Sequence, residues 1–215
     1  MKLINKVLAV SAISLSLMPA LASADCGKAR LADFDWNSAN VHTGIVQFIL
    51  EHGYGCEVET TRGSTTPIMA AHYDSQLDIV TELWYDNIVT QYDAVEASGV
   101  IRNIGINTPD SQQAFYVDRN TADKYSIKSV LDMNNPEIAA LFSDPENPDM
   151  GRMVSCIGGW TCYTINHVKQ RVYGLDKFYT NFDPGSSGAL AAEIAGAFAK
   201  DRPIFTYYWA PTALM

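Results

Sequence analysis

No stretch of this 215-residue chain gathers a cluster of basic residues, and acidic side chains outnumber basic ones 24 to 15. That balance excludes the positive footprint by which proteins hold nucleic acid or an anionic lipid surface. Beyond the first two dozen residues, no run comes near the roughly 18 uninterrupted apolar residues of a membrane-spanning helix. Enzyme signatures are missing as well: there is no Gly-x-Ser-x-Gly, no His-Glu-x-x-His and no phosphate-binding loop. There is no Cys-x-x-Cys, and His42, His52, His72 and His167 do not cluster around the four cysteines, so a zinc site has neither ligand set nor spacing. The acidic stretch 144–149 carries prolines where a calcium-binding loop needs ligands and a turn glycine, and reads as a solvated loop. Nothing repeats, and no cofactor or metal is called for.

What is present begins with an export signal. Lys2 and Lys6 precede an apolar run over residues 7–21, followed by Ala22-Ser23-Ala24, the pattern of a secretory signal peptide over residues 1–24. Its removal leaves 13 basic residues against 24 acidic ones, a formal charge of −11, on a chain expected outside the cytoplasm. All four cysteines lie in the exported part, and an even count in an oxidising compartment predicts two disulfides. Pairing the near neighbours Cys156 and Cys162 leaves Cys26 with Cys56.

The periodicities alternate between strand and helix. Strands are expected at 30–34, 56–60, 77–80, 100–104 and 114–117, with helices at 38–53, 66–74 and 87–98 between them. In the first helix Val41, Ile45, Phe48 and Ile49 share one face. This βαβα order predicts an α/β lobe over residues 25–117 with a mainly parallel sheet. A second α/β lobe is expected over 118–215. It has short helical pieces near 121–125, 130–132 and 136–142, a polar loop at 143–151 and a helix at 163–173. A long helix at 187–200 follows, with Leu190, Ile194 and Phe198 inward, and then an aromatic strand at 204–209.

The most informative stretch is Ser155-Cys156-Ile157-Gly158-Gly159-Trp160-Thr161-Cys162. A loop that must keep its shape uses glycine for backbone angles other residues avoid, and a covalent staple across its ends. The peptide N–H groups of Trp160, Thr161 and Cys162 then fall at a helix start, which attracts anions. An aromatic face beside an anion-binding helix start suits a small molecule carrying a bulky cation and a carboxylate; the plainer alternative is a stapled surface loop with a core tryptophan. The chain has only four tryptophans, Trp36, Trp84, Trp160 and Trp209, each at an expected strand end or in this loop. Ligands of open α/β sheets bind beyond the carboxyl ends of strands. Trp36 and Trp84 would come from the first lobe and Trp160 and Trp209 from the second, facing each other across a cleft. Tryptophan offers the best face for a quaternary ammonium ion, which has no N–H to donate.

Several segments together carry a family resemblance: Asp35-Trp36, Leu50-Glu51-His52-Gly53-Tyr54-Gly55-Cys56, Glu82-Leu83-Trp84, Thr121-Ala122-Asp123-Lys124-Tyr125, the Cys156 to Cys162 loop and Tyr207-Tyr208-Trp209-Ala210-Pro211-Thr212. The chain resembles the periplasmic glycine betaine/proline betaine/choline-binding proteins of ABC importers over nearly all of its exported length. The resemblance implies a two-lobed, type II periplasmic-binding fold that delivers a small quaternary ammonium ligand to a membrane permease, as a monomer and without chemistry of its own. It implies a cage of Trp84, Trp160 and Trp209, with Trp36 as the additional first-lobe tryptophan of some members. The backbone N–H groups of Thr161 and Cys162 would meet the ligand's carboxylate.

Two departures stand out. Some relatives place a carboxylate-binding histidine four residues after the tryptophan matched by Trp84, where this chain has Ile88. Family members also return to the first lobe after the strand that ends at Trp209, whereas this sequence stops at Met215. A C-terminal truncation, leaving apolar surface of the first lobe uncovered, is therefore expected. The rival readings are a ligand-sensing module for a membrane receptor, which would share the cage, and an exported hydrolase using Cys162 and His167. The hydrolase pair lies five residues apart on one helix and places its thiol in the expected disulfide.

Overall fold

The computed structural model describes residues 26–215; the expected signal segment lies outside them. The strand β1 (Lys28–Phe34) buries Leu31, Ala32 and Phe34 almost completely. A strand apolar on both faces belongs in the middle of a parallel sheet. It lies between β2 (Glu57–Gly63) and β3 (Ile79–Val80), parallel to both. Cys26 is bonded to Cys56 with their Cα atoms 4.7 Å apart, which ties the chain entering β1 to the chain entering β2.

Between these strands α1 (Asn37–Ile49) runs into a π-helical turn, Leu50–Tyr54, that ends on Gly55 in the left-handed conformation. The helix α2 (Thr65–Tyr73) then leads to β3, and α3 (Val89–Ala97) follows a single 3-10 turn after Trp84. α1 packs through its small residues: Ala39 and Thr43 are buried, and Thr43 Oγ1 donates to the Ala32 carbonyl at 3.0 Å. Val41, Ile45, Phe48 and Ile49 do share a face, but it is exposed, not inward.

The second sheet has the order β4 (Gln112–Val117), β8 (Phe205–Ala210), β6 (Asn147–Val154), β5 (Ser143–Asp144), with β7 (Tyr179–Phe182) also paired to β6. β4 therefore joins the second sheet, antiparallel to β8, although the sequence places residues 114–117 with the first lobe. The helices α4 (Arg119–Tyr125), α5 (Pro136–Ala139), α6 (Thr161–Val172) and α7 (Ser187–Ala199) accompany it. α7 turns Leu190, Ile194 and Ala197 inward at helical spacing, so Phe198, one position past that stripe, is left half exposed.

Two other expectations are corrected. Residues 100–104 form no strand. The Asn103 N–H is taken by Glu96 Oε1 at 2.8 Å and the Gly105 N–H by Asn103 Oδ1 at 2.9 Å, so side chains replace a ladder, and Ile104 stands exposed. The polar stretch 143–151 is not an open loop but the antiparallel β5–β6 hairpin. Asp144 organises it by accepting from the Glu146 N–H at 3.0 Å, from Arg152 at 2.6 and 2.9 Å, and from Thr180 Oγ1.

Two outcomes follow for stability. A Cβ on Gly151 would lie 2.6 Å from the Ala139 carbonyl oxygen and 2.8 Å from the Tyr179 ring, with backbone on one side and a packed ring on the other. Gly151→Ala should cost about 1–3 kcal/mol in urea melts, whereas Gly44→Ala in α1, where nothing lies within 4 Å, should be neutral or stabilising. For Asp144, burial raises the carboxyl pKa, but the bonds from Thr180, the Glu146 N–H and Arg152 outweigh it and hold it below the ordinary value. The stabilisation is therefore complete above the unfolded pKa of about 3.9 and lost as pH falls through the lower folded value. Asp144→Asn should lower the melting temperature at pH 7, with the gap to the parent closing in strong acid.

Candidate functional site

Each tryptophan is delivered by the element that the strand-and-helix pattern implies. Trp36 follows β1, Trp84 follows β3, Trp160 begins α6 and Trp209 lies near the end of β8. The Trp160 ring stands edge-on to Trp36, with centroids 5.3 Å apart, and edge-on to Trp209 at 5.5 Å. Phe34 stacks on Trp36 at 4.6 Å and Tyr208 on Trp209 at 4.4 Å, so both outer rings are backed by a second aromatic. Trp36, Trp160 and Trp209 are buried and Trp84 is half-buried.

An indole has a single polar atom, and three of the four are satisfied by carboxylates. Glu82 Oε1 accepts from Trp36 Nε1 at 2.7 Å, from Trp84 Nε1 at 3.1 Å and from Ser38 Oγ at 3.0 Å. Asp35 Oδ1 accepts from Trp160 Nε1 at 2.6 Å, and its carbonyl accepts from Ser187 Oγ at 3.3 Å. The second oxygen of Glu82 accepts no hydrogen bond from the described residues; His42 Nδ1 lies 3.0 Å from it and 3.3 Å from the Asn107 side-chain nitrogen.

The loop before α6 is held from both sides. Cys156 is bonded to Cys162, with Cα atoms 5.8 Å apart. The Gly158 N–H donates to Asp183 Oδ2 at 2.9 Å, and the Gly159 carbonyl accepts from the N–H and the hydroxyl of Thr66, both at 3.2 Å. Gly159 has φ +91°, and a Cβ there would sit 2.6 Å from Ser64 Oγ. Both the backbone angle and the closeness of the first sheet's helix therefore select glycine. Trp160 is the N-cap of α6, and no side chain caps the helix; the Trp160 N–H, expected to be available, donates instead to the Ile157 carbonyl and that of Tyr163 to the Trp160 carbonyl, both at 3.1 Å, which leaves the N–H groups of Thr161 and Cys162 at the helix start.

One cavity is lined by Trp36, Trp84, Trp160, Thr161, Cys162 and Trp209, every residue that the sequence reading placed around a ligand. Thr65, Asn87, Gln113 and Tyr207 line it as well. Tyr207 was within reach of sequence reasoning, because it lies two residues before Trp209 on the same strand face. The others were not: Gln113 and Asn87 exchange amide hydrogen bonds at 2.8 and 3.2 Å across two elements, with no local signal. Ile88 packs against the core without lining the cavity. Among the hydrolase candidates, Cys162 is in a disulfide and His167 Nδ1 lies 2.9 Å from the Tyr163 carbonyl, so the two form no nucleophile–base pair. The cavity is partly open to solvent, with about 300 Å³ of empty space that includes its mouth.

Among the described residues no helix is long and apolar enough to cross a membrane, and no group of histidine, cysteine and carboxylate side chains is placed to hold a metal. The chain is similar to the glycine betaine/proline betaine-binding periplasmic protein of Escherichia coli (strain K12), 28% identical over 128 residues that make up 59% of this chain and 37% of that one. Among solved structures it superposes on the glycine/betaine/L-proline-binding protein (ProX) from Borrelia burgdorferi with a TM-score of 0.71 at 15% identity, covering 86% of this chain and 64% of that one. It also superposes on an ABC-transporter choline-binding protein in complex with choline, with a TM-score of 0.67 at 17% identity, covering 86% of this chain and 61% of that one. The fold is the two-lobed type II periplasmic-binding fold, and the sequence given spans less than two thirds of these relatives. Residues 27–215 match the substrate-binding domain of the ABC-type glycine betaine transport system, a binding family and not an enzyme family, and the chain belongs to it.

Proposed function

We propose that the protein captures a quaternary ammonium compound outside the cytoplasm, glycine betaine or proline betaine before choline, and delivers it to the permease of an ABC importer. The observation that carries this reading is the meeting of Trp36, Trp84, Trp160 and Trp209 at one cavity whose wall includes the uncapped start of α6. Each desolvated tryptophan face contributes about 1–2 kcal/mol to a cation, so three or four of them support micromolar binding. The helix start supplies the complementary half, with Thr161 and Cys162 presenting donors to a carboxylate. Ile88 offers no side-chain donor, which leaves the anion to the backbone. The curated relative is named for glycine betaine and proline betaine, and the expected signal segment agrees with its periplasmic location.

A trimethylammonium group held against these rings changes the surroundings of the indoles. Ligand should therefore change the intrinsic tryptophan fluorescence saturably. Glycine betaine and proline betaine should do so, choline more weakly because it lacks the carboxylate, and glycine not at all. Trp160→Ala should cost at least about 1–2 kcal/mol of binding free energy, and Trp160→Phe less. Added salt should weaken binding only modestly, since the contact is desolvated. Calorimetry that detects no heat with any quaternary ammonium compound would return the four tryptophans to a packing role.

A further inference from the structure

We propose that Glu82 and Asp35 are positioning residues that give the cage its preference for positive charge. The inference rests on the cage reading above and adds two side chains that do not line the cavity. Their carboxylates take the N–H groups of Trp36, Trp84 and Trp160, so each ring is turned with its polar edge away from the cavity. Three donors converge on Glu82 Oε1, and all three are satisfied only by an oxygen that carries no proton.

Orientation alone needs no charge. The amide oxygen of glutamine would accept the same indole bonds without the cost of burying an ion. Among the described residues no lysine or arginine forms a salt bridge with either carboxylate; Arg30, five residues before Asp35, pairs with Asp78, and Arg62 pairs with Asp33. Glu82 has only the His42 ring beside Oε2. Two anions are thus held behind aromatic rings with no resident cation of fixed charge, and the cavity in front of the rings is where a bound cation would supply it. An indole that donates to an anion also has a more electron-rich face, so the carboxylate strengthens the attraction that the ring itself offers.

The two carboxylates differ in reach. Glu82 ties together two tryptophans that follow strands of the first sheet. Asp35, also from the first sheet, holds Trp160 and Ser187, which begin helices of the second lobe, and so aligns the cage only when the two halves are together.

The test compares charge with shape. Whichever of glycine betaine and choline binds the parent protein is paired with its carbon isostere, in which a neutral tert-butyl group replaces trimethylammonium. The parent should prefer the cation by at least about tenfold. In Glu82→Gln, and separately in Asp35→Asn, affinity for the cation should fall about 3- to 30-fold while that for the isostere changes less than about twofold. Melting curves identify a variant that fails to fold; the other variant and the parent's own preference then decide. Equal losses for both ligands would show an orienting role without charge selection and overturn the proposal, as would a parent indifferent to charge. A parent that binds no quaternary ammonium compound overturns the cage reading and this inference together. A parent that binds, with charge preference intact in both variants, overturns this inference alone.

Discussion

A tryptophan N–H taken out of water calls for an acceptor, and that requirement places three of the site's four rings. Glu82 meets it for Trp36 and Trp84, and Asp35 meets it for Trp160. Because each acceptor is a side chain close to a strand end, satisfying the N–H also sets the angle of the ring. The ring faces are then free to look into the cavity.

The rest of the fold keeps these partners in register. β1 carries Asp35 and Trp36 out of the middle of a parallel sheet, while β3, next to it, carries Glu82 and Trp84 to the same end. On the other side, the disulfide between Cys156 and Cys162 and the bond from Gly158 to Asp183 fix a loop too short to fix itself. Gly159 then permits that loop to touch Ser64 and Thr66 of the opposite half. At this loop the two halves meet through backbone and small side chains, with the Trp160 ring against Asp35 and Trp36 beside it.

Much of this was legible in the sequence because strand ends and loop ends are local features. The alternation of short apolar runs with helical patterns located Trp36, Trp84 and Trp209, and the spacing of Cys156, Gly158, Gly159 and Cys162 located Trp160. Pairings were harder to read. Asp35 and Trp160 are 125 residues apart, and nothing near either one announces the other. Periodicity also says which residues share a face without saying what lies opposite. Val41, Ile45, Phe48 and Ile49 form the stripe that their spacing implies, yet the bond from Thr43 to the Ala32 carbonyl sets which side of α1 meets β1. The hairpin over Ser143 to Val154 escaped for the opposite reason: its polar residues look like loop until Asp144 is seen to bind three of its neighbours.

The geometry of the rings has an optical consequence. Trp160 stands nearly perpendicular to Trp36 and to Trp209, with centroids within 5.5 Å of both. At such separations the electronic transitions of neighbouring indoles mix, and light absorbed by one ring is shared with the others before it is emitted. The contribution of these three rings to the near-ultraviolet circular dichroism is therefore a coupled one, and the change on removing one tryptophan includes the loss of its coupling to its neighbours.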